Sequence, residues 1–181
     1  MHVSNLVKKA KRGNKEALLQ LIMAQKDDYY RLAFSYLGNE HDALDAMEDM
    51  IVTLYEKINQ LKKAASFYSW SKTILVNCCK TMLRKQKKVV LVDEWTNNTP
   101  SIDEDKTVIN AMSQREHSID IQQMLTQLNK NQSEAIKLKY LHDLDYKTIA
   151  DITGVSVGTA KSRVFQGLKK LSSLYRGDYD A

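Results

Sequence analysis

Residues 146–164 read YKTIADITGVSVGTAKSRV, from Tyr146 to Val164. Two short helical patterns meet there at a glycine, and the second opens on small polar residues. Asp145 stands where a side-chain carboxylate accepts from the unpaired N–H groups of a first helical turn, so a helix is expected from Tyr146. Ile149, Ala150 and Ile152 supply its apolar contacts. Gly154 follows where helices commonly end in a left-handed residue, a conformation glycine adopts without steric cost. Two residues on, Ser156 is placed to cap a second helix. Helix, Gly-x-Ser turn and helix is the pattern of a helix-turn-helix.

The second helix resolves into faces at about 100° per residue. Val157, Ala160, Val164, Leu168 and Leu171 share one side and are expected to face the core. Gly158, Thr159, Ser162, Gln166 and Lys169 lie opposite, with Lys161, Arg163 and Phe165 on the flanks. Gly and Thr at the entry permit close approach, while Ser, Gln, Lys and Arg donate to phosphates and base edges. The helix N-terminus itself favours phosphate. Such a face fits a DNA major groove. The plain alternative is an αα-hairpin with a solvated polar face; the small residues followed by Lys-Ser-Arg argue against it.

Outward from this corner the chain continues to look helical. It has one proline and six glycines in 181 residues, long stretches of 3.6-residue periodicity, and no sustained strand-like alternation. Apolar residues make up 43% and charged residues 27%, the balance of a soluble globular protein. The net charge of +5 suits an anionic partner. Charge also divides the chain. Residues 1–88 carry a net +7, residues 89–117 a net −4, and residues 118–181 a net +2. The middle piece, with DEWTNNTPSIDEDKT, holds the sole proline and little apolar periodicity. The expected architecture is all-α: two small helical domains, 1–88 and 118–181, joined by a flexible acidic linker.

Two segments of the first domain carry opposite charge. From Glu40 to Glu56 there are six acidic residues and no Lys or Arg, beside an apolar stripe of Ala43, Met47, Ile51, Leu54 and Ile58. Asp45, Asp49 and Glu56 lie opposite that stripe, with Glu48 to one side. Like charges on one helix repel, so they add nothing to an isolated helix. Either the face is simply solvated or it docks a basic partner. Further on, FYSWSKTILVNCCKTMLRKQKK places Thr73, Asn77, Lys80 and Arg84 in one helical stripe behind Phe67, Tyr68 and Trp70. Cations beside rings suit single-stranded nucleic acid, through phosphates and stacked bases. Phe67 and Trp70 are equally open to a role as core anchors.

Other chemistries lack support. Cys78 and Cys79 are adjacent, with no His or Cys at ligand spacing, and read as inert buried thiols of a reducing compartment. His2, His41, His117 and His142 are scattered. No phosphate-binding loop, dinucleotide fingerprint or nucleophile elbow is present, so no enzyme, metal or cofactor is expected. No apolar run approaches a membrane span. The opening MHVSNLVKKAKRG lacks the apolar core of a secretory signal, and a cytoplasmic location is expected.

Together the halves resemble the extracytoplasmic-function group of bacterial RNA polymerase sigma factors, the smallest kind, built from sigma-2 and sigma-4 domains. AKRGNKEALLQLI, YYRLAFSYLGNEHDALDAMEDMIVTLYEKI and FYSWSKTILVNCCKTMLRK look like sigma-2; LTQLNKNQSEAIKLKYLHDLDYKTIADITGVSVGTAKSRVFQGLKKL is close to sigma-4. The resemblance implies that Asp45, Glu48 and Asp49 dock on the clamp helices of the polymerase largest subunit. It implies that Phe67 and nearby residues hold a flipped base of the −10 element, alongside Trp70, with Asn77, Lys80 and Arg84 also on DNA. It implies that Thr159, Lys161, Ser162, Arg163, Phe165 and Gln166 enter the −35 major groove, and that the linker threads toward the RNA exit path. Core polymerase, promoter DNA and an anti-sigma factor are the expected partners. The chain departs from the family pattern at Glu48 and Asp49, usually Gln-Glu, and at Ser71, usually apolar. It departs again at Gln166, often Arg, which implies fewer phosphate or guanine contacts. The rivals are a helix-turn-helix regulator acting without being a polymerase subunit, which would need a palindromic site, and a protein-binding helical adaptor.

Overall fold

The computed structural model describes residues 2–96 and 117–177, which are helices and connecting turns with no strand among them. They fall into two compact units, one in each half of the chain. The amino-terminal unit contains α1 (Val3–Lys11), α2 (Lys15–Met23), α3 (Lys26–Leu37), α4 (Glu40–Lys57) and α5 (Phe67–Thr96). Two short 3-10 turns, Ile58–Gln60 and Ala64–Ser66, join α4 to α5. Asparagine caps set two of the helix starts: Asn14 accepts from the Ala17 N–H at 2.9 Å, and Asn39 from the Asp42 N–H at 2.9 Å.

Of the expected α4 stripe, Ala43, Met47 and Leu54 turn inward and are buried, with Ile58 buried just beyond the helix end; Ile51 is only half-buried and lines a groove against α2, and Met50 is fully buried in its stead. This face packs on α3 and α5, which also pack on each other, while α1 lies on α2. Leu21, Tyr29, Leu32, Met50, Leu54, Phe67, Leu75 and Val76 are fully buried. Each such apolar side chain contributes about 1.5–3 kcal/mol through burial.

Ser71, where the family pattern has an apolar residue, is fully buried as well. Its hydroxyl lies 2.7 Å from the Tyr29 hydroxyl and donates to the Tyr68 carbonyl at 3.0 Å. The two departures from a purely apolar interior therefore satisfy each other. Burial pushes the Tyr29 hydroxyl well above the ordinary phenol value.

Helix α5 passes the expected domain end at residue 88 and continues to Thr96. No proline or glycine interrupts Phe67–Thr96, so nothing local stops it. The remaining expected linker, 97–116, lies outside the described residues.

The carboxyl-terminal unit contains α6 (His117–Thr126), α7 (Lys130–Ile136), a π-helical turn (Lys137–Leu141), α8 (Tyr146–Thr153) and α9 (Val157–Gly177). Asp145 accepts from the Thr148 N–H at 2.8 Å, Gly154 closes α8 at φ 68°, and Ser156 accepts from the Thr159 N–H at 3.1 Å. Every element of the expected corner is in place. Ala135, Leu138, Ile149, Ile152, Ala160 and Val164 form the core of this unit. Helix α9 packs on both α7 and α8.

Two residues expected to face that core do not. Val157 is 40% exposed and Leu168 39% exposed. Val157 opens α9 after α8 has already ended at Thr153. Leu168 lies on a helix of 21 residues whose partners have only 7 and 8, too short to cover its length. The buried contact instead includes Gly167, where an added Cβ would stand 2.6 Å from Ile136 Cδ1 and 3.4 Å from Gln132 Cβ.

Candidate nucleic-acid interface

The corner turns its polar side outward. Thr159, Lys161, Ser162, Phe165 and Gln166 are exposed and Arg163 is half-buried, while Ala160 and Val164 between them are sealed. The alternation follows from the helical period: positions four apart, Ala160 and Val164, stay beneath the corner. Thr159 and Ser156 share a hydroxyl contact at 2.9 Å, and Gln166 donates to Ser162 at 3.3 Å. These bonds hold donors and acceptors in a row along one face. Phe165 is 69% exposed among them, an apolar group on a polar surface, suited to a thymine methyl.

The basic helix divides differently. Asn77 and Arg84 are exposed, and Thr73, Lys80 and Trp70 are half-buried. The Lys80 ammonium lies 5.9 Å from the centre of the Tyr36 ring, a cation–π contact. Arg84 folds back along its own helix, donating to the Lys80 carbonyl at 3.3 Å and to Thr81 at 3.1 Å.

Phe67 corrects the expectation placed on it. It is fully buried, with Tyr68 edge-on at 5.4 Å between ring centres and Trp70 tilted at 6.4 Å. A side chain enclosed on all sides cannot receive a flipped base. Phe67 anchors the start of α5 and backs two rings that do reach solvent. Tyr68, half-buried beside Trp70, is the aromatic that stacking would use in its place. Its presence in the FYSW cluster was the available signal, but the cluster alone does not say which ring points inward.

On α4, Glu48 and Asp49 are exposed, and the Asp45 side chain is 47% exposed with His41 Nε2 at 3.6 Å. Beside them α4 exposes Val52 and Tyr55, which with Leu19 of α2 line an open groove of about 490 Å³. Asp42 is held apart from this face. Its carboxylate accepts from Asn39 at 2.8 Å and from Gln86 of α5 at 2.9 Å, which keep it below the usual carboxylate range. Burial pushes the Cys79 thiol up to about 12 and raises Cys78 too, so both stay protonated at neutral pH. Among the described residues no three His, Cys, Asp or Glu side chains gather to hold a metal ion, and no helix is long and apolar enough to cross a membrane.

Comparison with known proteins places these surfaces in a family. The model for Sigma-70 region 2 matches residues 21–89, and that for Sigma-70, region 4 matches residues 118–171. RNA polymerase sigma factor SigV of Bacillus subtilis strain 168 is 32% identical over 163 residues, covering 89% of this chain and 92% of that protein. The extracytoplasmic-function sigma factor SigW of the same organism is 26% identical over 183 residues, covering 97% and 98%. The chain belongs to the extracytoplasmic-function group of RNA polymerase sigma factors.

As an alternative sigma factor it directs promoter recognition in transcription initiation. Two solved structures share the fold. CnrH, in complex with the cytosolic domain of CnrY, matches at a TM-score of 0.65 and 20% identity over 97% of each chain. Sigma factor RpoE of Bartonella quintana, in complex with the anti-sigma factor NepR, matches at 0.62 and 24% identity, over 87% of this chain and 95% of that one. In this sigma factor the helix-turn-helix lies within region 4, and both α4 and the aromatic start of α5 lie within region 2.

Proposed function

We propose that this sigma factor binds core RNA polymerase through Asp45, Glu48 and Asp49 of α4 and places α9 in the major groove of a −35 element. Trp70, Asn77, Lys80 and Arg84 of α5 contact the −10 element, with Tyr68 beside Trp70 as a second stacking surface. The observation that carries the reading is the outward presentation of Thr159, Lys161, Ser162, Phe165 and Gln166 on a capped helix, above a sealed Ala160 and Val164. Thr159 and Gly158 admit the groove wall closely, and the lysine and arginine flanks meet phosphates.

On α4, carboxylates next to exposed Val52 and Tyr55 favour a protein partner over a merely solvated helix. The action is non-catalytic. Binding energy from the polymerase and from duplex contacts is coupled to strand opening, because unpaired bases meet Tyr68 and Trp70 only after unstacking. RpoE of Bartonella quintana is held by an anti-sigma factor in its solved complex. An anti-sigma partner covering the same surfaces follows for this chain, acting in the cytoplasm where polymerase works.

Run-off transcription with core polymerase on a promoter library tests the reading. Adding the chain is expected to enrich transcripts from one class of promoters carrying a common −35 and −10 pair. Transcript sets that stay the same with and without the chain would overturn it.

A further inference from the structure

Between α3 and the first turn of α5 runs a short chain of hydroxyls. Tyr29 of α3 and Ser71 of α5 are both fully buried, and their oxygens lie 2.7 Å apart. Ser71 carries a single hydroxyl proton, and it goes to the Tyr68 carbonyl at 3.0 Å. The proton between the two hydroxyls therefore comes from Tyr29. Burial holds that phenol above its ordinary value, so the donor keeps its proton at neutral pH. The relay runs one way, from α3 through Ser71 to the backbone of Tyr68. About two helical turns further along the same side of α3, the Tyr36 ring centre lies 5.9 Å from the Lys80 ammonium. Helix α3 thus backs α5 at two points along its proposed DNA-facing stretch.

The turn that receives the relay carries two rings that reach solvent, Tyr68 and Trp70, both half-buried beside Phe67. A ring that meets an unpaired base gains most when its plane is held before the base arrives, since ordering it on binding costs affinity. Apolar packing is non-directional. It constrains the roll of a helix on its neighbour less sharply than a hydrogen bond, which fixes distance and angle. An apolar side chain at 71, as in the family pattern, would fill the space without that constraint. We propose that Ser71 and Tyr29 are positioning residues for promoter opening, their hydroxyl relay locking the first turn of α5 so that Tyr68 and Trp70 stand ready to stack on an unpaired −10 base. This role presupposes the stacking proposed above for those two rings, and it adds to them two buried side chains that never touch DNA.

The test uses holoenzyme reconstituted with core polymerase and two probes. One is a promoter recovered from the library, with a mismatched bubble over its −10 element and 2-aminopurine at an unpaired position. The other is a fully paired fragment carrying the −35 element alone. Ser71→Ala is expected to weaken bubble binding roughly three- to tenfold, through lost ordering of two rings, and to leave more 2-aminopurine emission at saturation. Binding of the paired fragment should keep its parental affinity. The deciding variant is Ser71→Ala/Tyr29→Phe. It removes both hydroxyls together, leaves neither partner buried and unpaired, and so regains stability over Ser71→Ala. The relay is still absent, and the bubble defect is expected to persist. A bubble affinity that recovers along with stability would reduce the pair to a structural role and overturn the proposal. In a Tyr68→Ala/Trp70→Ala background, Ser71→Ala should add no further loss; an equal loss there would also overturn it. Parental affinity and quenching in the Tyr68→Ala/Trp70→Ala protein itself would instead sink the stacking reading, and the relay's role with it. If that background protein or Ser71→Ala does not fold, the bubble affinity of Ser71→Ala/Tyr29→Phe against the parent decides.

Discussion

Ser71 and Tyr29 meet across 42 positions of sequence, hydroxyl to hydroxyl, inside an otherwise apolar interior. Removing one partner leaves the other buried and unpaired, the costly half of hydrogen-bond energetics. Ser71→Ala is expected to destabilise the protein by about 1–3 kcal/mol, read by urea unfolding, and the double change with Tyr29→Phe should recover part of that loss. A single variant as stable as the parent would contradict the pairing. Nothing near Ser71 in the chain announces Tyr29, which is why a serine after Trp70 reads from sequence only as a departure. Phe67 was illegible for a related reason. It is the first residue of α5, so no preceding turn gives the helical register that separates an inward ring from an outward one. Asp42 supplies a pH-dependent case. Its folded-state carboxyl titrates below the ordinary value because Asn39 and Gln86 donate to the charged form. The stabilisation is therefore present above the ordinary carboxylate range and disappears as pH falls through the folded value. Asp42→Asn should be slightly less stable than the parent at neutral pH and converge with it in acid; parallel curves would exclude the linkage.

At the level of elements, caps were the most legible feature. Asp145, Gly154 and Ser156 have fixed offsets from the helix ends they serve, and each does what its position implies. Angular arithmetic along α9 did less well. It sorts residues by side but carries no information on where a neighbouring helix runs out, so Val157 and Leu168 emerge exposed. Conversely, Gly167, to which the angular reading gave no role, is buried against α7, where an added Cβ would meet Ile136. On α4, Asp49 is exposed and the Asp45 side chain is 47% exposed, both apart from the Asp42–Gln86 link, so changing these two tests recognition without disturbing the core. Asp45→Lys with Asp49→Lys is expected to abolish co-purification with core polymerase while leaving thermal unfolding nearly unchanged. Retention on polymerase at parental levels would remove this docking face.

For the molecule as a whole, charge segregation along the chain was enough to suggest two helical units, and the matches to regions 2 and 4 fall in the same two halves. The extension of α5 to Thr96 was hidden because the acidic, asparagine-rich sequence beyond residue 88 resembles a linker, while its one helix breaker, Pro100, comes only after Thr96. Phe165, 69% exposed, offers a test that needs the complete holoenzyme. Phe165→Ala removes apolar contact but no charge. It should weaken binding to the cognate promoter more than to unrelated DNA, and the salt slope should stay at its parental value. Equal losses on both DNAs would assign Phe165 to the backbone instead.

The seam between α4 and α5 has a practical consequence for exchange between relatives. Met50 and Leu54 on one side and Leu75 and Val76 on the other are wholly enclosed, and Gln86 ties the far end of the seam back to Asp42. The two outward surfaces are thus jaws cut from one casting. A chimaera that transplants α5 alone inherits an ill-fitting joint, whereas one that transplants both helices as a block moves the proposed polymerase face and the proposed −10 face together.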